Sequence, residues 1–497
     1  MSVKLSDDDV RQDVTAQERP VWRRALPHLL FLLVLAAGVV LRWLAQRTYV
    51  PAIIYSDSEH YLANSVNLVP GGFPLGYSIL VKLAMSAVSD LAVLPLLNHL
   101  FGLVMGGLLY VALLRRGVSP WLAALGAAPV LLDAYQLFLE QMVMSDVLFQ
   151  VAVVAGTVAL LWNRRPGLPA AAVCGVSFAA AALTRDVGPP LVLAGALYCL
   201  LATGSRGRRL ATTGLLVVTF VVPMAAAVAY ASTVPGEIGP SSEGGARKLY
   251  ARAASVADCD ALRLPEYERV LCPPPETVEP HFGSRLEGYK VGVAGRLTPP
   301  PGMSATDVYY DFMWRVVRHQ PLDVARAVGA TFVRPFTEWG RSRGEDELPI
   351  DRWRFSAHRG EWNASTPEVV DRWGGSGPST DVAKARLLRR YQLSVGYTPG
   401  PVLLAGLVLG VAGALGLGRA GRSGQRMACL LWVVVGAGLL LSADLYLFSW
   451  RYQLPALVTL PPAGVLGLTA LLGGGRYVRE AQGGQVDRAQ PVTPDGS

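Results

Sequence analysis

Leu26-Pro-His-Leu-Leu-Phe-Leu-Leu-Val-Leu-Ala-Ala-Gly-Val-Val-Leu-Arg-Trp-Leu-Ala-Gln46 decides the class of this chain. It is almost wholly apolar and has the length a helix needs to cross a hydrocarbon core, about 20 residues. Nine further apolar segments follow, at 91–114, 120–137, 147–162, 168–183, 187–202, 210–230, 399–417, 427–442 and 453–472. Hydrophobic residues make up 52% of the chain and charged residues 16%, with a mean hydropathy of +0.34. A soluble domain is nearer a quarter charged, about 25%. The pattern predicts an α-helical polytopic membrane protein with about 10–11 transmembrane helices.

Arginine placement predicts the orientation. Of the 45 basic residues nearly all are arginine, and they fall in short groups between apolar runs. Arg23/Arg24, Arg115/Arg116, Arg164/Arg165, Arg206/Arg208/Arg209, Arg419/Arg422/Arg426 and Arg476/Arg479 lie on every second side. The positive-inside rule puts these groups, and with them both termini, in the cytoplasm. Dispersed arginines also explain the net charge of +8 without any nucleic-acid partner. The polar, mixed-charge start shows no cleavage site, so the first segment is expected to remain as a signal anchor.

The chain then divides into a cytoplasmic tail (1–25), a membrane module (26–230) with a first outer loop (47–90), an outer region (231–398), C-terminal membrane helices (399–475) and a second tail (476–497). The outer region is predicted to be an extracytoplasmic domain of mixed or α structure, being too long for a passive connection. The apolar stretch 73–88 is short and carries Pro74, Gly76 and Lys82. It reads as a juxtamembrane or re-entrant helix, with a short eleventh span as the alternative.

Cys174, Cys199 and Cys429 lie in apolar segments and read as buried, inert thiols. Cys259 and Cys272 are the two cysteines of the outer region, and in an oxidising compartment they are expected to form a disulfide. Beyond them, 307–333 has amphipathic helical periodicity, with Val308, Phe312, Val316 and Val317 on one side. Trp314, Trp339, Trp353, Trp362 and Trp373 suit packing at the membrane interface or stacking on sugar. Asn363-Ala-Ser365 has the form of a glycosylation sequon.

The polar residues at the outer ends of the apolar segments converge on one side. They are Asp57 in Tyr55-Ser-Asp-Ser-Glu-His-Tyr61, Glu140 and Asp146 between the third and fourth segments, Arg185-Asp186 after the fifth, Asp444, and Arg451 before the last. Ionisable groups next to a membrane are functional candidates by default. A carboxylate such as Asp57 can take a proton from an acceptor hydroxyl, and Arg451 or Arg185 can bind phosphate oxygens through the guanidinium fork. Glu59, His60, Glu140 and Asp146 could orient an acceptor or a divalent cation. Each also has a structural reading, as helix cap, local ion pair or interfacial polar residue.

Asp57-Ser-Glu-His-Tyr61-Leu-Ala followed by Gly72-Phe-Pro74-Leu-Gly76-Tyr77 resembles the first-loop pattern of the GT-C superfamily, the membrane glycosyltransferases that use phospholipid-linked sugars. Met144-Ser-Asp146-Val-Leu-Phe149, Leu183-Thr-Arg185-Asp186-Val-Gly-Pro and Arg451-Tyr-x-Leu-Pro455 are similar to later motifs of that family. The chain departs from the protein O-mannosyltransferase pattern: no His-Pro-Pro follows the first acid, and the usual Asp-Glu pair is split as Asp57-Ser-Glu59. The resemblance implies a plasma-membrane enzyme with an extracytoplasmic catalytic face. It implies transfer of a sugar, mannose first, from a polyprenyl-phosphate donor, with Asp57 as catalytic carboxylate and inversion at the anomeric carbon. The acceptor would be a glycan, lipid, secreted metabolite or protein. A transporter or lipid flippase is the alternative class, although no internal repeat of the kind common in transporters is evident.

Overall fold

A computed structural model describes residues 26–68, 73–202, 204–233, 243–273, 296–339, 353–357, 366–375, 377–422, 424–446 and 448–473. Both predicted tails, Trp362 and the Asn363 sequon lie outside these residues. All ten apolar segments are helical. Among the described residues, five helices are long and apolar enough to cross a membrane alone: Leu26–Thr48, Val93–Arg115, Arg206–Thr233, Arg426–Asp444 and Trp450–Leu471. Pro120–Leu132 and Ala134–Glu140 form a sixth candidate, bent by 48°. The helices Asp146–Leu161, Leu168–Ala182, Leu191–Leu201 and Gly400–Leu415 are shorter. At a rise of about 1.5 Å per residue these fall short of a hydrocarbon core of about 30 Å. Length thus supports five or six full crossings, where apolarity alone suggests ten or eleven.

The bend in the third segment has a local cause. Asp133 stops the first helix and caps the second, accepting from the backbone N–H of Tyr135 and Gln136. The carbonyls released at the break are taken by Arg42, whose guanidinium donates to Leu131 O at 2.7 Å and Val130 O at 2.9 Å. A buried carbonyl without a donor is costly in an apolar surrounding, so this arginine makes the break tolerable. The last membrane helices pack through small residues. A Cβ on Gly406 would lie 2.6 Å from Leu460 O, and one on Gly464 would lie 2.6 Å from the Cα of Gly406. Only glycine allows that approach.

The helices give the molecule two chemically different ends. At one, Arg115 donates to Trp162 O, Arg116 to Leu161 O, and Gln425 to Arg116 O. The opposite ends of these helices carry Asp146 and Asp444. The arginine groups and the acidic cluster are therefore separated by the length of a helix.

The stretch 73–88 forms the helix Gly76–Ala87, 12 residues, too short to span. It lies against the helix Ser56–Asn67. Its first residue donates its N–H to Leu183 O at 2.6 Å, and a Cβ there would clash with the same carbonyl. Gly76 thus pins this helix beside the segment that carries Arg185.

The described part of the region 231–398 is mainly helical, and its one described strand, Ser379–Thr380, pairs antiparallel with Tyr49–Val50. The helices Glu243–Ala254 and Ala305–His319 pack around Tyr250, Val308, Tyr309, Phe312 and Val316. The amphipathic stretch 307–333 proves to be two helices, Ala305–His319 and Pro321–Thr337, because Pro321 cannot continue the first and starts the second. Val308, Phe312 and Val316 are buried as the periodicity predicts, with Val317 at the edge. Among the tryptophans, Trp353 is buried beside Tyr55 and Tyr135, whereas Trp314 and Trp339 are exposed.

Cys174, Cys199 and Cys429 are buried free thiols, and Cys259 is bonded to Cys272. A loop of this size is worth about 3 kcal/mol in the chain-entropy model. Cys259→Ser is expected to lower the thermal midpoint while leaving the residues around Asp57 in place. An unchanged midpoint in non-reducing conditions would contradict this.

Candidate active site

Asp57 sits in the first turn of the helix Ser56–Asn67, where carboxylates are favoured by the free N–H groups. Ser58 Oγ accepts from the N–H of Tyr55 and fixes the helix start. Four residues on, Tyr61 shares the face of Asp57, packs against Tyr77 and hydrogen-bonds Ser145 Oγ at 2.9 Å. Ser145 leads into Asp146, the first residue of the helix Asp146–Leu161.

Arg451 joins the two aspartates. Its Nη1 donates to Asp57 Oδ2 at 2.5 Å and its Nε to Asp146 Oδ2 at 2.8 Å. Arg185 donates to the other oxygen of Asp146 and lies over the Tyr452 ring, 5.0 Å from its centroid. Arg451 comes from the short turn Trp450–Gln453, held by Ser449, whose side chain accepts the backbone N–H of Arg451. Four residues from four parts of the chain, Asp57, Asp146, Arg185 and Arg451, form one chain of ion pairs.

Asp57, Arg185 and Arg451 line a cleft of roughly 490 Å³ together with Phe73, Tyr446 and Tyr452, with Asp146 buried behind the two arginines. Asp186 and Lys248 complete the charged lining, their charges 3.3 Å apart. Two carboxylates, Asp57 and Asp186, and three cations thus line the cleft, and the buried Asp146 behind them supplies the third negative charge. Burial by itself would raise the carboxyl pKa of Asp57, but the Arg451 guanidinium outweighs it and holds Asp57 below its ordinary value. Asp57 is therefore a persistent anion.

Among the described residues, Nη2 of Arg451 and of Arg185 and Oδ1 of Asp57 have no hydrogen-bond partner. Two guanidinium donors and one carboxylate acceptor remain for a ligand.

The other predicted residues go elsewhere. Glu59 and His60 lie off the face shared by Asp57 and Tyr61 and do not line the cleft; His60 stacks on Phe73. Glu140 is fully buried behind it, paired with Arg42 at 2.8 Å and His99 at 2.9 Å. It supports the bent segment rather than the cleft, because Arg42 reaches both the Glu140 carboxylate and the broken helix end. Among the described residues no three His, Cys, Asp or Glu side chains come together as a metal-binding group. Lys248 had no signal in the sequence: it is a lone lysine in a polar region, brought in by the fold.

A second, apolar groove of roughly 440 Å³ runs between the helices Leu191–Leu201 and Arg426–Asp444. Leu191, Leu193, Leu197, Val434 and Leu439 line it. It starts beside the cleft: Val187 and Ala443 line the cleft, and Pro190 and Ser442 line the groove.

No protein-family model matches the chain, and no curated protein matches it significantly. Among solved structures it is similar to the Saccharomyces cerevisiae protein O-mannosyltransferase Pmt1-Pmt2 complex bound to the sugar donor, at 14% identity and a TM-score of 0.34, covering 47% of this chain and 37% of that one. It is also similar to the oligosaccharyltransferase AglB of Archaeoglobus fulgidus in complex with an inhibitory peptide and a dolichol-phosphate, at 14% identity and a TM-score of 0.45, covering 95% of this chain and 53% of that one. The same archaeal oligosaccharyltransferase tethered to an acceptor peptide gives 15% and 0.44 over the same shares. The chain spans about half or less of these proteins. Superposition at this level transfers no residue role.

Proposed function

We propose that the chain is a membrane glycosyltransferase that moves a sugar from a polyprenyl-phosphate donor to an acceptor hydroxyl at this cleft. The observation that carries the reading is the pairing of Asp57 with Arg451 at the mouth of an apolar groove. A lipid-linked sugar has an apolar tail, an anionic phosphate and a polar head, in that order. The groove, the guanidinium donors and the Asp57 carboxylate offer matching surroundings in the same order.

The reaction would be a direct displacement. The acceptor oxygen forms a bond to the anomeric carbon, the bond from that carbon to the phosphate oxygen breaks, and its electron pair leaves with the lipid phosphate. The hydroxyl proton goes to Asp57. Because Arg451 lowers the basicity of Asp57, the carboxylate orients the hydroxyl at first and takes the proton only as the oxygen becomes acidic in the transition state. Arg451 and Arg185 hold the phosphate. One displacement inverts the anomeric centre. The arginine groups at the far end favour an extracytoplasmic position for the cleft, by the positive-inside rule.

Transfer of radiolabelled sugar from a polyprenyl-phosphate donor, mannose first, by the purified full chain into envelope glycan, lipid or protein fractions tests the reading. Absence of any transfer across donors and acceptors would end it. The groove has its own test. A Cβ on Gly438 meets nothing within 4 Å, so Gly438→Leu fills the groove without disturbing the helix. It is expected to raise KM for a long-chain donor by about tenfold, equivalent to one aliphatic contact of about 1.5 kcal/mol. KM for a donor with a short, soluble chain should hold. Equal effects on both donors would place the lipid tail elsewhere.

A further inference from the structure

We infer that Lys248, carried by the outer region, is a further catalytic residue of this site, its ammonium taking up the charge that builds on the departing phosphate; this rests on the transfer reading above. Lys248 stands on the helix Glu243–Ala254 and is one of the three cations of the cleft. The other two already serve carboxylates, each keeping only its Nη2 for the phosphate. Arg451 bridges Asp57 and Asp146, and Arg185 holds the second oxygen of Asp146. Among the described residues Lys248 has a single polar partner, Asp186 Oδ2 at 3.3 Å, and its side chain, which lines the cleft, keeps 27% of its exposure. An ammonium has three donors, so two remain for a ligand.

The helix is docked so that this lysine cannot wander. Arg252 lies four residues further on, hence on the same face. It is buried, within 3.4 Å of Thr331 and drawn electrostatically to Asp444 at the end of the helix Arg426–Asp444. Asp444 is in turn held by Gln453 at 3.2 Å, two residues from Arg451. The residue before Asp444, Ala443, lines the cleft itself. The outer region is thus locked to the membrane module beside the cleft and completes its charge. Burial would lower the pKa of the Lys248 amine, but Tyr452 and Asp186 outweigh it, so the group stays protonated.

The chemistry calls for such a cation. A sugar–phosphate–lipid diester carries one negative charge. When the anomeric C–O bond breaks, its electron pair stays on the phosphate oxygen and the lipid phosphate becomes a dianion. The site is balanced at rest, with Asp57, Asp186 and the buried Asp146 against three cations. The second charge therefore calls for a donor beyond the two guanidinium Nη2 groups that hold the first. Lys248 meets this with no proton transfer, by turning its free N–H groups from solvent to phosphate.

The test compares Lys248→Ala, Lys248→Gln and Lys248→Arg in the full chain, with Asp57→Asn alongside. Alanine and glutamine are expected to lower kcat by about 10²-fold, as for loss of one preorganised donor, with KM for the donor within a few-fold. Arginine should retain most of the turnover. Added methylammonium should restore part of kcat in the alanine variant, following its protonated fraction, which a purely structural role would not produce. Full turnover in Lys248→Ala, with Asp57→Asn inactive, would overturn the role of Lys248 and leave the transfer reading standing. A loss that neither arginine nor methylammonium repairs would also overturn it. An inert wild-type chain would overturn both.

Discussion

Arg451→Ala is expected to abolish sugar transfer, by at least about 10²-fold, and to destabilise the protein as well. The arginine holds Asp57 at 2.5 Å and Asp146 at 2.8 Å, and its own side chain is 6% exposed. Removing one partner of a buried ion pair leaves an uncompensated charge and typically costs about 3–5 kcal/mol. Here two carboxylates lose it together, and only Asp146 keeps a second partner, Arg185. Arg451→Lys should fall between wild type and alanine: it restores a positive charge, but one ammonium head cannot bridge both aspartates while presenting a donor to phosphate. Thermal unfolding in detergent and transfer from a radiolabelled donor separate the two effects. Near-native turnover in the alanine variant would remove Arg451 from the site.

Asp57→Asn is expected to lower kcat by about 10²–10⁴-fold, the usual range for loss of a positioned proton acceptor. The amide keeps the size of the carboxylate and can still accept from Arg451, so folding should be little affected. The pH dependence is a sharper check. Asp57 is held below its ordinary value of 3.8 by Arg451. A carboxylate with a depressed folded-state pKa contributes stability above its unfolded value and loses it as pH falls through the folded one. The Asp57 charge, and any turnover depending on it, should therefore be constant between about pH 5 and 8. Its acid limb should lie below about pH 4. An acid limb near pH 6 that disappears in Asp57→Asn would show that the Asp57–Arg451 pair is not present in the working enzyme. Asp146 would be the next carboxylate to test, although both its oxygens are already taken.

Much of this protein is legible one segment at a time. The ten apolar runs are all helices, because a backbone surrounded by apolar side chains can satisfy its polar groups only locally. Cys259 and Cys272 are bonded, and their nearness in the chain made that legible. Asp57, Asp146, Arg185 and Arg451 were each readable as polar groups at segment ends, and they do meet.

What the sequence could not carry is which charges are shared and which are left over. Glu140 and Asp146 look alike as acids between two apolar segments, yet Glu140 is buried against Arg42, 98 positions away, while Asp146 holds the two arginines that line the cleft. The difference arises at Asp133, where the helix breaks and turns Glu140 inward. Lys248 reaches the cleft only because a helix of the outer region docks through Arg252, a contact with no local signature. Apolar patterning is dictated residue by residue by the surrounding medium, and so it can be read along the chain. Charge pairing depends on distances of a few ångströms between segments far apart in the chain, and only the packed tertiary structure decides those.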